Sequence, residues 1–102
     1  MSEFVKAIEA STLSPGRGME LSLAGKAVAL FNVGGAFHAI ANTCIHRGGP
    51  LGQGFVEGQV VTCPWHAWQY DVTTGENVVN RTVKVASYPV KVEDGQVLVK
   101  VE

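Results

Sequence analysis

The sequence predicts an all-β protein, a sandwich or small barrel, and three observations point there. Glycine is frequent, at 12 of 102 residues, and short apolar stretches alternate with turn signals, the texture of a chain built from hairpins. No segment sustains a helical period over the length a packed helix needs. Gly34-Gly35 and Asp94-Gly95 stand between extended-looking segments, and such dipeptides, tolerant of positive φ, are strong local signals for tight hairpins.

Taken in order, residues 4–8 predict a first strand. Ser14-Pro15-Gly16 breaks the chain, and residues 19–23 resume with alternating character. Ala24-Gly25 is a turn into residues 26–32, which pair across Gly34-Gly35 with residues 36–41 as a hairpin. Residues 55–62 read as a short hairpin centred on Glu57-Gly58, and Thr73-Thr74-Gly75 as a turn. Residues 83–92 are expected to be extended, with Pro89 marking an edge or a bulge. After Asp94-Gly95, residues 96–101 alternate polar positions with inward Val97, Val99 and Val101.

The length predicts one domain over residues 1–102, with a core small enough that a bound metal group would help hold it. The formal charge is −1 and no basic run occurs, which argues against a nucleic-acid binder and against an anionic membrane surface. The start, Met1-Ser2-Glu3-Phe4-Val5-Lys6, lacks the pattern of a secretory signal, and the apolar run 27–31 is too short to span a bilayer. The expectation is a soluble cytoplasmic chain. Its two cysteines are then either a disulfide or part of a metal site.

Their neighbours decide. The pattern is Cys44-x-His46, sixteen intervening residues, then Cys63-x-x-His66. Each arm pairs a thiolate with an imidazole, a donor set for zinc or iron–sulfur chemistry rather than for calcium or magnesium. Structural zinc sites usually pair like with like, Cys with Cys and His with His. Mixed arms, one with a single intervening residue, suit a binuclear cluster in which the two ligands of a loop bind different metals. A 2Fe–2S cluster with Cys₂ on one iron and His₂ on the other is the favoured reading; a zinc site is the alternative.

The boxes Cys-Ile-His-Arg-Gly-Gly-Pro-Leu and Cys-Pro-Trp-His-Ala-Trp-Gln-Tyr-Asp, the latter followed by Thr-Gly, closely resemble those of the Rieske ferredoxin family. The resemblance extends over nearly the whole chain. It implies a Rieske-type β-sandwich with a small cluster-binding subdomain of two loops, about residues 42–75. It also implies that Cys44 and Cys63 bind an inner iron and His46 and His66 an outer, solvent-facing one. Respiratory members carry an extra Cys in each box, joined as a disulfide; here the matching positions are Gly49 and Trp65. Trp68 stands where those members have a Ser that donates to a bridging sulfide, and Tyr70 matches a Tyr whose hydroxyl reaches a ligand sulfur. Fewer donors to sulfur imply a potential toward the low end of the Rieske range, roughly −150 to 0 mV.

Around the boxes, Gly48, Gly49 and Pro50 are expected to shape the first loop, Pro64 the second, and Leu51 to cover the cluster. Trp65 is read as a packing residue, with a shield or docking role as the alternative, and Arg47 as a partner-orienting or merely solvated residue. His38 lacks a neighbouring ligand and is read as structural. With three histidines in the chain and two assigned to the cluster, the two-His, one-carboxylate iron site of an oxygenase cannot be built, so an electron carrier is expected rather than an enzyme. The leading function is transfer of single electrons from an NAD(P)H-dependent flavoprotein reductase to a terminal ring-hydroxylating oxygenase. The alternatives are the small subunit of an assimilatory nitrite reductase, working with that enzyme's large subunit, and a non-redox, zinc-stabilised binding module.

Overall fold

The structure is a computed structural model that describes residues 4–43, 49–65 and 68–101. Its strands are β1 (Phe4–Glu9), β2 (Arg17–Leu23), β3 (Lys26–Val33), β4 (Ala36–Ala41), β5 (Phe55–Glu57), β6 (Val60–Thr62), β7 (Gln69–Asp71), β8 (Ser87–Tyr88), β9 (Val90–Glu93) and β10 (Gln96–Lys100). They form three antiparallel sheets in the orders β1-β10-β9, β2-β3-β4-β8 and β5-β6-β7. The all-β expectation therefore holds.

The central strand is β3. Because side chains alternate across a strand, a strand buried on both faces must be apolar at successive positions. Val28, Ala29, Leu30 and Phe31 are all fully buried. Val28 and Leu30 join Leu13, Leu23, Ala39, Val97, Val99 and Val101 in one core. Ala29 and Phe31 face the other way and join Ile40, Leu51, Val61, Cys63, Tyr70, Val72 and Val85. The first core holds the sheet of β1, β10 and β9 against the central sheet. The second holds the small sheet β5-β6-β7, and with it the cysteine, against the opposite face.

The predicted hairpins are present. Asp94 and Gly95 both take positive φ, 51° and 75°, as do Gly34 and Gly35 at 58° and 98°, the backbone that a tight turn between twisted strands requires. Val97, Val99 and Val101 point inward as expected. Three details differ. A single 3₁₀ turn, Ala10–Thr12, follows β1; three residues carry no period that would reveal it. The β5–β6 turn falls on Gly58 and Gln59, one residue later than expected, because Gly58 is the residue that takes positive φ, 61°. Residues 83–86 lie outside the strands: Val83 and Val85 donate to Asn80 and Gly75 instead of to a sheet. Extended pairing begins at Ser87, and Pro89, with no N–H to give, separates β8 from β9.

Asp71 closes the far end of the small sheet. Its Oδ1 accepts the Thr73 N–H at 2.9 Å and the Thr73 hydroxyl at 2.6 Å, and its Oδ2 accepts from Gln59 Nε2 at 2.8 Å. Arg81 stands 3.5 Å from Oδ2. Burial pushes the carboxyl pKa up, but the bonds from Thr73, then Gln59 and Arg81, outweigh it and hold the group below its ordinary value. A depressed folded pKa means stability that is fully present above the ordinary value of 3.8 and lost as pH falls through the folded one. Asp71→Asn is expected to cost about 1.5–3 kcal/mol in urea unfolding at neutral pH. That cost should be constant between about pH 8 and pH 5 and shrink only at more acid pH; a cost that changes between pH 8 and 5 would contradict the assignment.

Candidate metal centre

The second box is carried by the β6–β7 connection. Gln69 Nε2 bonds Thr62 Oγ1 across the strand ends at 3.1 Å, and the Cys63 N–H donates to the Trp68 carbonyl at 2.7 Å. Cys63 and Trp68 are thus tied to each other through their own backbone. Cys63 sits with 1% of its surface exposed, in the same core as Leu51, Val61 and Tyr70. A buried thiol in such surroundings is a soft donor shielded from water on its inner side.

The first box enters from β4 and leaves through the single 3₁₀ turn Leu51–Gln53. Thr43 pairs with Pro50 in an isolated bridge. The Leu51 N–H donates to the Asn42 carbonyl, and the Gly52 N–H to Asn42 Oδ1, both at 2.7 Å. Leu51 is fully buried beneath this crossing, in the core that also holds Cys63.

The two boxes meet at Gly49. A Cβ built there would stand 2.6 Å from Cys63 Sγ and 3.2–3.3 Å from Trp65 Cγ and Cβ. The requirement is one of space. The 3.3 Å separation from Trp65 Cβ is close to the Cβ–Cβ spacing of disulfides, about 3.5–4.5 Å. Positions 49 and 65 therefore face each other as the correspondence with the respiratory disulfide implies, with a glycine and an indole in its place.

Of the predicted ligands, Cys63 is described; Cys44, His46 and His66 lie outside the described residues, as do Arg47 and Gly48. Trp65 is 53% exposed, whereas Trp68 is partly buried against the core that holds Cys63, and Tyr70 is wholly buried in it. His38 lies on β4 opposite Phe31 in the central sheet. The residues present fit a thiolate-held cluster: a buried soft donor, walled by apolar side chains, with backbone close enough at Gly49 to exclude anything larger than hydrogen.

One participant went unnoticed in the sequence. Glu20 of β2 is exposed, yet its carboxylate accepts from both Gln53 and Asn42 on the stems of the first box, and these bonds hold its pKa below the usual carboxylate value. Asn42, next to the box, carried a weak turn signal. Glu20, many residues away on a strand, carried none.

Gly49→Ala is expected to force Cys63 and Trp65 apart. The variant should lose most of its iron per chain after anaerobic purification and lose about 1–3 kcal/mol of stability. Gly16→Ala, whose added Cβ meets nothing within 4 Å, should keep its iron although its positive φ is strained. Equal iron in the Gly49→Ala variant and the parent would contradict the close approach.

Comparison with known proteins agrees with this geometry. The model of the Rieske [2Fe-2S] domain matches residues 3–89. The chain is 31% identical over 98 residues, covering 95% of it and 94% of the relative, to the ferredoxin component of a naphthalene 1,2-dioxygenase system from Pseudomonas putida. It superposes with a TM-score of 0.89 and 32% identity on a chain of the complex of reduced oxygenase and oxidized ferredoxin in carbazole 1,9a-dioxygenase, covering 97% of this chain and 94% of that one. It also superposes with a TM-score of 0.91 and 27% identity on a protein assigned as an NADH-dependent nitrite reductase small subunit from Mycobacterium tuberculosis, covering 100% and 97%. The chain belongs to the Rieske [2Fe-2S] family, and its cofactor is a Rieske-type 2Fe–2S cluster.

Proposed function

We propose that this chain is a one-electron carrier that takes electrons from an NAD(P)H-dependent flavoprotein reductase and delivers them to a terminal ring-hydroxylating oxygenase. The observation that carries the reading is the end-to-end match with a stand-alone ferredoxin component, 95% of this chain on 94% of the relative. In this reading Cys44, His46, Cys63 and His66 are the ligands, the chain is one domain, and residues of about 42–75 form its cluster-binding subdomain. In this reading the chain works in the cytoplasm; among the described residues no helix is long and apolar enough to cross a membrane.

When bound, the cluster supplies a one-electron couple. The chain's own residues set its surroundings. Cys63 holds its sulfur inside the core, and Leu51, Val61 and Tyr70 keep water from that side. Gly49 brings main chain against the sulfur. Trp68 packs partly buried against the same core; by the resemblance it stands where respiratory members carry a donating hydroxyl, which leaves less stabilisation for the reduced, more negative state.

A second reading, the small subunit of a nitrite reductase, is favoured by one observation: the superposition on the Mycobacterium tuberculosis protein over the whole of this chain. The two separate in reconstitution. Mixed with NADH, a flavoprotein reductase and a ring-hydroxylating oxygenase, the chain is expected to support product formation that stops when it is left out. Support of nitrite reduction with a sirohaem subunit, and none of ring hydroxylation, would replace the first reading with the second. The midpoint potential is expected at about −150 to 0 mV by protein-film voltammetry; a value above about +200 mV would contradict the account of Trp68.

A further inference from the structure

The described stems on either side of residues 44–48 are gripped by one carboxylate from another strand. Glu20 lies on β2, an edge of the central sheet. Its Oε1 accepts from Asn42 Nδ2 at 2.9 Å, and its Oε2 accepts from Gln53 Nε2. Asn42 carries the grip onward, because its Oδ1 accepts the Gly52 N–H at 2.7 Å and its carbonyl accepts the Leu51 N–H at 2.7 Å. Gly52 in turn rests on β2: a Cβ there would lie 2.6 Å from Glu20 Cγ and 2.9 Å from Glu20 N. The incoming and outgoing stems are thus tied to each other and to β2 at a single residue.

We propose that Glu20 is a positioning residue for the cluster, its carboxylate holding the two stems at the separation that ligation by Cys44 and His46 requires. This rests on the reading of those two residues as ligands. Glu20 acts through Asn42 and Gln53. Asn42 must donate to position 20, because its Oδ1 is taken by the Gly52 N–H, whereas the exposed Gln53 amide can turn either its donor or its acceptor end to that position. Glu20→Gln can therefore still meet both partners, its amide oxygen accepting from Asn42 and its amide N–H donating to a turned Gln53. Glu20→Ala removes both bonds.

The donor pattern also specifies its own rescue. Asn42→Asp alone places two carboxylates face to face. Combined with Glu20→Gln, it restores every bond in reverse. The amide introduced at position 20 donates to the carboxylate introduced at position 42, which still accepts the Gly52 N–H. The amide oxygen at position 20 accepts from Gln53.

The test is release of iron from the oxidised, cluster-loaded protein to a chelator, followed by bleaching of the visible absorption, with the unfolding midpoint measured beside it. E20A and N42D are each expected to release iron about tenfold faster than the parent, and E20Q to stay within about twofold of it. The double variant E20Q/N42D should return to within about twofold of the parent rate. Val97→Ala, which removes packing from the other core, should lower the unfolding midpoint while leaving release within about twofold. The proposal is overturned if E20A releases iron at the parent rate, or if the double variant E20Q/N42D is no slower than N42D. It is overturned as well if release in all variants, V97A included, simply follows the unfolding midpoint. A parent protein whose own iron content and spectrum show no 2Fe–2S cluster would overturn the functional reading and this proposal together, an outcome visible before any variant is made.

Discussion

The site depends on two segments meeting with nothing larger than a hydrogen between them. Gly49 lies so close to Cys63 that a methyl group at its Cα would overlap the sulfur and press on Trp65. Protein interiors are packed too tightly to absorb such a group without displacement. The supporting features serve that approach: the backbone bond between Cys63 and Trp68, the Asn42 crossing that ties the first stems, and Leu51 sealed beneath them. In respiratory relatives, by resemblance, a disulfide ties the same two positions. Here the tie is non-covalent, an indole base against a glycine.

The scaffold behind the site is organised by β3. Its successive positions face opposite ways, so one strand feeds both cores. Val28 and Leu30 anchor the outer sheet, while Ala29 and Phe31 support the small sheet that presents Cys63. The cysteine is thereby built on the rigid centre of the molecule. This suits a carrier, because a site whose supporting shell is packed changes shape little between charge states.

Much of this was legible in the sequence because the signals were local. Asp94-Gly95 and Gly34-Gly35 announce their turns through the φ values they permit, and Val97, Val99 and Val101 announce a buried face through their period of two. The boxes propose a donor set by residue type and spacing, of which Cys63 is seen buried in the core, and the resemblance pairs Gly49 with Trp65, which the fold brings together. What stayed hidden is what the fold brings together from afar. Glu20 grips Asn42 and Gln53 from another strand, and a lone exposed glutamate on a strand carries no mark of that. Residues 83–86 read as strand because Val83 and Val85 are β-formers, but their N–H groups go to Asn80 and Gly75. Tertiary partners overrode propensity there.

The central claim is a cluster held by two thiolates and two imidazoles. Electron paramagnetic resonance of the dithionite-reduced protein, grown with nitrogen-15 histidine and examined for hyperfine coupling, tests it most directly. The account predicts a 2Fe–2S signal with the low average g of mixed ligation and coupling to two histidine nitrogens. A signal with the average g of an all-cysteine cluster, or no nitrogen coupling at all, would contradict it.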